Sequence, residues 1–139
     1  MCTYLEAVIK ETLRLYPPAG MARYTPDVSE TYGGYTIGGA VLYVYPYLLH
    51  RQESVWERAS DFYPERWREQ DSFPQKFVSF SRGPRDCLGK YFALLEAKVA
   101  VSAIVQRYEM ECINPNDTLC YKVTFCPRDG AKVRFTHCK

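Results

Sequence analysis

The sequence has little of what a zinc site requires. It contains only two histidines, and no two of its cysteines are spaced as C-x-x-C. Structural zinc sites draw their ligands from such closely spaced residues, so we expect none here. A disulfide framework is not indicated either, because four of the six cysteines crowd the last 28 residues and no secretory signal is recognisable. The pattern favours a reducing compartment, with most cysteines acting as small core hydrophobes.

The sequence also lacks a long apolar run and an excess of one charge. Its longest apolar run, residues 40–49, spans ten residues, whereas a membrane-spanning helix needs roughly 20. Charged residues interrupt the first stretch, which therefore does not resemble a signal peptide. We expect no membrane segment in this chain. The net charge is only +2 and no basic stripe with interleaved aromatics is present, so we expect no nucleic-acid partner.

Two helices are predicted from the spacing of apolar residues. The first occupies residues 1–16 and ends at Pro17-Pro18; its apolar face is Leu5, Val8, Ile9, Leu13 and Tyr16. The second begins after Gly89 and runs to about Tyr108. Its predicted buried face is Tyr91, Phe92, Leu95, Val99, Ile104, Val105 and Tyr108. A composition of 47% hydrophobic and 24% charged residues is that of a folded globular chain.

Between and after these helices the sequence predicts short strands and turns. Glycine-rich turn signals separate three strands at 23–25, 34–37 and 41–45. A short helix is predicted at 47–50. Residues 51–80 carry prolines and little periodicity, and structureless stretches of this length are usually functional. The tail is predicted to be a hairpin that pairs 121–125 with 132–136 around a turn at Arg128-Asp129-Gly130.

The segment with the most distinctive chemistry is FSRGPRDCLG, residues 80–89. Cys87 stands just before the second helix, where the positive end of the helix macrodipole stabilises a thiolate. Gly83 and Gly89 let the backbone turn sharply and let a flat ligand approach without a Cβ in the way. Arg85 adds a fixed positive charge that suits a carboxylate. These features favour a ligand-binding thiolate over an inert buried thiol.

This segment resembles the haem-binding signature of the cytochrome P450 family, Phe-x-x-Gly-x-Arg-x-Cys-x-Gly. All five fixed positions match, at Phe80, Gly83, Arg85, Cys87 and Gly89. The resemblance implies that the cofactor is haem b (iron protoporphyrin IX), that Cys87 is the ligand of the metal, and that the other four residues belong to the cofactor-binding loop. Thiolate ligation makes the iron electron-rich and favours O–O cleavage.

Two further segments resemble motifs of that family. ETLR near the start resembles its Glu-x-x-Arg helix, and PERW resembles its Pro-Glu-Arg-Phe meander motif, with Trp67 in place of the final Phe. The resemblance makes Glu11, Arg14 and Arg66 a structural triad that locks the meander against the first helix. Trp67 is apolar and aromatic like Phe, so this departure puts little in doubt.

The resemblance also implies a fold and a layout. The fold class is mainly α with small β-sheets (α+β), the C-terminal third of the cytochrome P450 fold and incomplete on its own. Arg23 matches a residue that commonly binds a haem propionate. The single partial domain divides into the Glu-x-x-Arg helix (1–16), a small β-sheet (17–50), the meander (51–79), the cysteine loop (80–89), the proximal helix (90–109) and the terminal hairpin (118–137).

The family's activity is implied in the same way. The full-length parent would receive electrons from NADPH through a reductase and insert one oxygen atom from O2 into a small apolar organic substrate. No catalytic residue beyond the haem ligand is expected in this chain. Arg82 and Lys90 flank the cysteine loop and suit an acidic partner, although plain solvated charges explain them equally well. Only residues 17–23 and the final hairpin near Cys126 are placed to touch substrate.

Two other functions stay open. A haem-thiolate isomerase or dehydratase rearranges hydroperoxides without oxygen or a reductase, but such relatives often depart from the cysteine-loop pattern that this sequence keeps. A truncated, non-enzymatic remnant is the second, because the family's distal helix is absent from this sequence. Resemblance to microsomal members implies that the parent lies on the cytosolic face of the endoplasmic reticulum membrane, held only by an N-terminal anchor outside this sequence.

Overall fold

The computed structural model describes residues 3–24, 30–68, 74–115, 118–121 and 124–138. In these ranges the chain forms three α-helices, one 3₁₀ turn and eight short strands. In chain order they are α1 (Thr3–Leu15), β1 (Met21–Tyr24), β2 (Glu30–Tyr32), β3 (Tyr35–Ile37), β4 (Val41–Val44), α2 (Pro46–Leu49), the 3₁₀ turn Pro64–Trp67, α3 (Lys90–Val105), β5 (Tyr108–Cys112), β6 (Leu119–Tyr121), β7 (Phe125–Pro127) and β8 (Val133–His137). This mixture of helices and small sheets agrees with the predicted fold class.

Helix α1 lies within the predicted range and ends just before Pro17-Pro18. Proline has no backbone N–H to continue the helical ladder and clashes with the preceding turn. The last helical hydrogen bond is made by the Tyr16 N–H, which donates to the Thr12 carbonyl at 2.7 Å. Ala7, Ile9 and Leu15 are buried, and so are the charged Lys10, Glu11 and Arg14, so α1 presents a mixed apolar and charged face to the rest of the chain. Of its predicted apolar face, Leu5, Val8 and Leu13 are half-buried and Tyr16 is exposed.

The strands form four separate two-stranded antiparallel sheets. β1 pairs with β4, and β2 pairs with β3 across a turn at Gly33 and Gly34. These two glycines have φ angles of 57° and 85°, the left-handed conformation that a type I′ hairpin turn requires at both central positions. The three strands predicted in this region are thus present with shifted ends, and Thr25 lies outside the described residues.

The predicted terminal hairpin, which pairs 121–125 with 132–136, is wrong. β6 pairs with β7, whereas β8 pairs with β5, so that Tyr108 faces His137 and Cys112 faces Val133. Alternating hydrophobic residues indicate a strand and which face it buries, but they do not identify the partner strand. The turn at residues 128–130 therefore leads the chain from one small sheet to another.

The core lies between α1 and the segment 51–80. Its buried members are Ala7, Trp56, Ala59, Trp67 and Phe77. The Trp67 ring meets Phe77 edge-on with the ring centroids 5.0 Å apart, and its centroid is 5.8 Å from that of Trp56. Buried aromatic rings contribute large apolar areas, so the segment with little periodicity is held against α1 by its aromatic side chains.

Helix α3 buries much less than its sequence predicts. Five residues of its predicted buried face are between 47% and 71% exposed, namely Tyr91, Phe92, Leu95, Val99 and Val105. Among the described residues of this helix only Leu94 is buried. The helix is apolar around much of its circumference, and the elements that pack against it are α1 and β5. The helix ends at Val105, before its predicted end at about Tyr108, and Tyr108 is instead the first residue of β5.

The described cysteines are not core residues, contrary to the prediction. Cys87, Cys112 and Cys138 are exposed, and Cys120 and Cys126 are half-buried. Three of them lie on two-stranded sheets, which are too small to enclose a core of their own. Cys2 lies outside the described residues. None of the helices in the described ranges combines the length and the apolar character needed to cross a bilayer.

Candidate functional site

The carboxylate of Glu11 is the centre of a buried polar cluster. Arg14 donates two hydrogen bonds to it, from Nε to Oε2 and from Nη2 to Oε1, both at 2.9 Å. The other donors are Arg66 Nε at 3.1 Å, the Tyr63 backbone N–H at 2.8 Å and the Trp67 indole N–H at 3.0 Å. The three residues of the predicted triad therefore meet at one fully buried carboxylate.

The two guanidinium groups connect this cluster to the backbone of the segment after α2. An arginine presents five N–H donors in a planar fork, and those not used by Glu11 reach carbonyl oxygens. The acceptors are His50, Ala59 and Asp61 for Arg14 and Glu57 and Arg58 for Arg66, at distances between 2.6 and 2.9 Å. The arginines thus satisfy backbone acceptors in an irregular segment that has no strand partner there.

Burial and hydrogen bonding act in opposite directions on the ionisation of Glu11. Burial raises the pKa of this carboxyl because it disfavours the charged form, but the hydrogen bonds from Arg14 and the Tyr63 N–H, with the charges of Arg14 and Arg66, outweigh it. The pKa of Glu11 therefore lies below its ordinary value. The cluster holds a carboxylate rather than a neutral acid, as two neighbouring guanidinium groups require.

His50 extends the cluster in a way that the sequence did not reveal. Its Nδ1 lies 2.9 Å from the Arg14 carbonyl, and the Val78 backbone N–H donates to its Nε2 at 3.1 Å. Since Nε2 accepts, the proton is on Nδ1, which donates to Arg14. The ring is fully buried, and burial, with the charges of Arg14 and Arg51, lowers the pKa of His50 to about 4. A neutral ring with both nitrogens used joins α1 to the segment 51–80.

Trp67 also does more than its sequence suggests. The resemblance treats it as an aromatic substitute for Phe, yet its indole N–H donates to Glu11. A phenylalanine has no such donor. Trp56 makes a useful contrast, since it is fully buried and, within the described residues, no acceptor lies within reach of its indole N–H. An indole beside a motif of charged residues is the signal that points to such a bond.

The cysteine loop is ordered by hydrogen bonds within its own backbone. The Cys87 N–H donates to the Phe80 carbonyl at 2.8 Å, and the Asp86 N–H donates to Gly83 at 3.1 Å. Gly83 has a φ of 86°, which disfavours any residue with a Cβ. The Lys90 N–H, at the first residue of α3, donates to the Cys87 carbonyl at 3.2 Å. The loop thus presents an exposed thiol just before α3.

Arg23 reaches this loop from β1. Its Nη2 donates to the Ser81 hydroxyl and to the Arg85 carbonyl, each at 3.0 Å. The side chain of Arg85 itself is exposed, whereas Phe80 packs against the core. Two arginines therefore lie at the same loop as Cys87, one bridging from the first sheet and one within the loop.

Residues 77–80 connect the buried cluster to the cysteine loop. The Ser79 hydroxyl donates to the Leu13 carbonyl of α1 at 2.7 Å, and Val78 is held by His50. The Phe77 ring stacks on His50 with centroids 5.6 Å apart. A continuous series of contacts thus runs from Glu11 through Arg14 and His50 to residues 77–80, where the cysteine loop begins.

A family model, Cytochrome P450, matches residues 1–133. The chain belongs to the cytochrome P450 family. Cytochrome P450 4c3 of Drosophila melanogaster is 31% identical over 96% of this chain and 26% of its own length. Carotene epsilon-monooxygenase, chloroplastic, of Arabidopsis thaliana is 37% identical over 84% of this chain and 23% of its own length. The chain therefore spans about a quarter of the length of the curated relatives it matches.

A solved cytochrome P450 has the same fold. The retinoic acid-bound cyanobacterial CYP120A1 superposes with a TM-score of 0.85 at 26% sequence identity, covering 97% of this chain and 32% of that one. Such a score over nearly the whole chain means that the helices and small sheets described above are arranged as in about a third of a cytochrome P450.

Proposed function

We propose that this chain supplies the haem-thiolate centre of a cytochrome P450 monooxygenase, with Cys87 as the ligand of the haem iron. The observation that carries the proposal is the exposed Cys87 thiol on a loop ordered by its own backbone hydrogen bonds, directly before α3. A thiolate at a helix N-terminus is stabilised by the helix dipole. The isomerase or dehydratase alternative has no observation in its favour, and the Arabidopsis relative is named as a monooxygenase.

The residues around Cys87 fit a haem group. The neighbouring Leu88 is 100% exposed, and a Cβ placed on Gly83 would meet no atom within 4 Å. An apolar, planar group therefore has room to lie over the loop. Arg23 and Arg85 supply positive charge at the same loop, which suits the carboxylates of propionate groups. Phe80 and Gly89 complete the set of residues that would hold the group.

The chemistry of haem b with a thiolate ligand is the activation of oxygen for insertion into a substrate. The residues of this chain hold and position the cysteine. Backbone bonds hold the loop between Phe80 and Cys87, and the cluster at Glu11 holds the segment from which the loop begins. Such supporting contacts tune and orient a metal ligand. Glu11, Arg14 and Arg66 act as a structural triad, and no proton-transfer step is assigned to them.

We further propose a small apolar organic substrate and an electron-donating reductase that draws on NADPH. Two similar proteins support the substrate class, since one is named for carotene, a hydrocarbon, and the other was solved with retinoic acid, which is hydrocarbon apart from one carboxyl group. Arg82 is exposed within the cysteine loop and suits an acidic reductase. Lys90 is less suited, because its ammonium group already contacts Asp86 at 2.7 Å.

For the full-length parent we propose the cytosolic face of the endoplasmic reticulum membrane, through an anchor outside this sequence. The resemblance to microsomal members carries this proposal. Expression of the full-length protein with a fluorescent tag checks it: colocalisation with an endoplasmic reticulum marker is expected. Accumulation in plastids, the location given in the name of the Arabidopsis relative, would contradict it.

The experiment that tests the haem site is the carbon monoxide difference spectrum of the reduced, haem-reconstituted chain. A strongly red-shifted Soret band is expected for the wild type and for Cys112→Ser, whose exposed thiol lies on β5. The band should be lost in Cys87→Ser, because an alcohol does not replace a thiolate as an electron-rich ligand. A red-shifted band that persists in Cys87→Ser would overturn the assignment. Haem binding without any such band in the wild type would favour the non-enzymatic remnant.

A further inference from the structure

Two cysteines outside the haem site lie directly opposite each other. Cys120 on β6 faces Cys126 on β7, and their Sγ atoms are 3.5 Å apart. Opposed residues of an antiparallel pair have Cα atoms roughly 4.5 to 5.5 Å apart, which is within the range that a disulfide spans. Closing an S–S bond of about 2.05 Å therefore requires the sulfur atoms to approach by roughly 1.5 Å without a change of strand register.

None of the other described cysteines lies opposite another cysteine in a pair of strands. Cys112 faces Val133 in the β5–β8 sheet. Cys87 lies in the loop before α3. Cys138 follows the end of β8, and its N–H donates to the Arg107 carbonyl. The β6–β7 pair is thus the one place in the described strands where the register itself aligns two thiols. Both residues are half-buried, so neither is enclosed in the core.

We propose that Cys120 and Cys126 are a thiol–disulfide modification site that reacts with a low-molecular-weight disulfide such as oxidised glutathione. One cysteine, as its thiolate, attacks the glutathione disulfide; that S–S bond breaks, a mixed disulfide forms and one glutathione leaves as the thiolate. The second cysteine then attacks the protein sulfur of the mixed disulfide and releases the second glutathione. The two protein thiols lose two electrons and two protons, and one disulfide is reduced to two thiols.

The position of the pair gives the modification a structural consequence. Phe125, next to Cys126, donates its N–H to the Pro18 carbonyl at 2.7 Å, and its ring stacks on Tyr47 with centroids 5.4 Å apart. The hairpin therefore anchors the chain just after α1, close to the start of β1. A cross-link beside Phe125 holds the two strands that carry this anchor together. The site does not depend on haem or on Cys87.

The test is an oxidation series on the whole chain with glutathione buffers, followed by acid quenching, alkylation and tryptic digestion in denaturant. Cleavage after Arg107, Lys122 and Arg128 separates Cys126 from the other cysteines. A cross-linked peptide is expected, joining 108–122 to 123–128 with Cys112 alkylated. It should be lighter by about 2 Da than the sum of the same two peptides with Cys120 and Cys126 as thiols and Cys112 alkylated. It should appear at an oxidised glutathione concentration about tenfold lower than that which modifies Cys87, because proximity raises the effective thiol concentration.

Matched serine variants identify the bond. Cys112→Ser is expected to retain the cross-linked peptide, and Cys120→Ser is expected to lose it and to carry glutathione on Cys126 instead. Fragmentation of the wild-type cross-linked peptide distinguishes Cys112 from Cys120 without any substitution, so the test stands even where a variant unfolds. The proposal is overturned if the bond maps to Cys112, or if 123–128 carries only glutathione at every ratio. Because no step involves Cys87, failure here leaves the proposed haem site untouched.

Discussion

Arg14 and His50 hold each other through reciprocal hydrogen bonds. The Arg14 guanidinium donates to the His50 carbonyl at 2.7 Å, and the His50 ring nitrogen Nδ1 donates to the Arg14 carbonyl at 2.9 Å. Both side chains are fully buried. The arrangement requires a charged arginine and a neutral histidine, because a second buried cation would repel the first. The end of α1 is therefore attached to the chain after α2 by a contact that depends on one protonation state.

The stability of the fold should fall as the pH falls from 6.5 to 4. The pKa of His50 is lowered from 6.5 to about 4 in the folded chain, so in this window the unfolded chain binds a proton that the folded chain does not. The full contribution is present above pH 6.5 and is lost as the pH approaches 4, a change of about 3 kcal/mol. Urea unfolding at a series of pH values measures it.

Two histidine variants separate this effect from general acid destabilisation. His50→Asn should be less stable at pH 7, because the Val78 N–H loses its acceptor, at a cost of about 1 to 3 kcal/mol. It should also show a much flatter dependence between pH 6.5 and 4. His137→Asn is the control, since this histidine is exposed on β8. An unchanged slope in His50→Asn would contradict the assignment of the window to His50.

Removing the charge of Glu11 should be far more costly than removing that of Glu6. Glu11→Gln leaves Arg14 and Arg66 buried without a counterion, which typically costs about 3 to 5 kcal/mol. Glu6 lies on the same helix and contacts Lys10 at 2.7 Å and Lys98 at 3.0 Å, but its side chain is 20% exposed. Glu6→Gln should cost less, about 1 to 2 kcal/mol, because its carboxylate is partly solvated although its partner Lys10 is buried. Denaturant unfolding of both variants at pH 7 makes the comparison, and similar losses would refute it.

Trp67→Phe, which restores the family's usual aromatic, should shift acid unfolding to higher pH. The variant removes the indole N–H that donates to Glu11 at 3.0 Å, so the carboxylate loses a bond that favours its charged form and the pKa of Glu11 rises. The stability that depends on an ionised Glu11 is present above the unfolded pKa and is lost as the pH falls through the folded one. Because the pKa of Glu11 in the folded variant is higher, this stability is lost at a higher pH during acidification.

Trp56→Phe is the matched control for this prediction. Its ring packs against Trp67 and His50, but no acceptor among the described residues faces its indole N–H. The substitution should lower stability through lost packing and leave the acid midpoint, corrected for that loss, unchanged. Equal shifts of the midpoint in both variants would mean that packing, rather than the bond to Glu11, sets the acid response.

The triad and the cysteine loop were predicted through the resemblance to the cytochrome P450 family, because a Glu-x-x-Arg spacing alone also fits an ordinary ion pair on a helix surface. A buried carboxylate needs guanidinium donors at set positions, and the turn at Gly83 needs positive φ, so the motif carries the geometry with it. The roles of His50 and of the Trp67 N–H were not predictable in this way. Each depends on which backbone or side-chain atom lies opposite the ring after folding, and no local spacing encodes that.

The strand partners and the exposed face of α3 escaped prediction for another reason. Alternation along 132–136 indicates a strand, but the choice between β5 and β6 as its partner is made by the path of the chain. Apolar residues on α3 indicate a face that avoids water. The sequence does not indicate whether other parts of the same chain bury that face. Leu94 is covered at 5% exposure, whereas its neighbour Leu95 is 59% exposed.

That uncovered face predicts self-association of the chain in solution. The chain exposes 10036 Å², whereas a compact monomer of 16.1 kDa exposes about 7,400 Å². Exposed apolar patches of this kind drive association. Leu95→Lys with Val99→Lys should therefore shift sedimentation velocity profiles at micromolar concentration toward the monomer without loss of helix. Leu94→Lys should instead unfold the chain, because that side chain is buried against its neighbours. A wild-type chain that sediments as a single monomer across the concentration range would contradict the prediction.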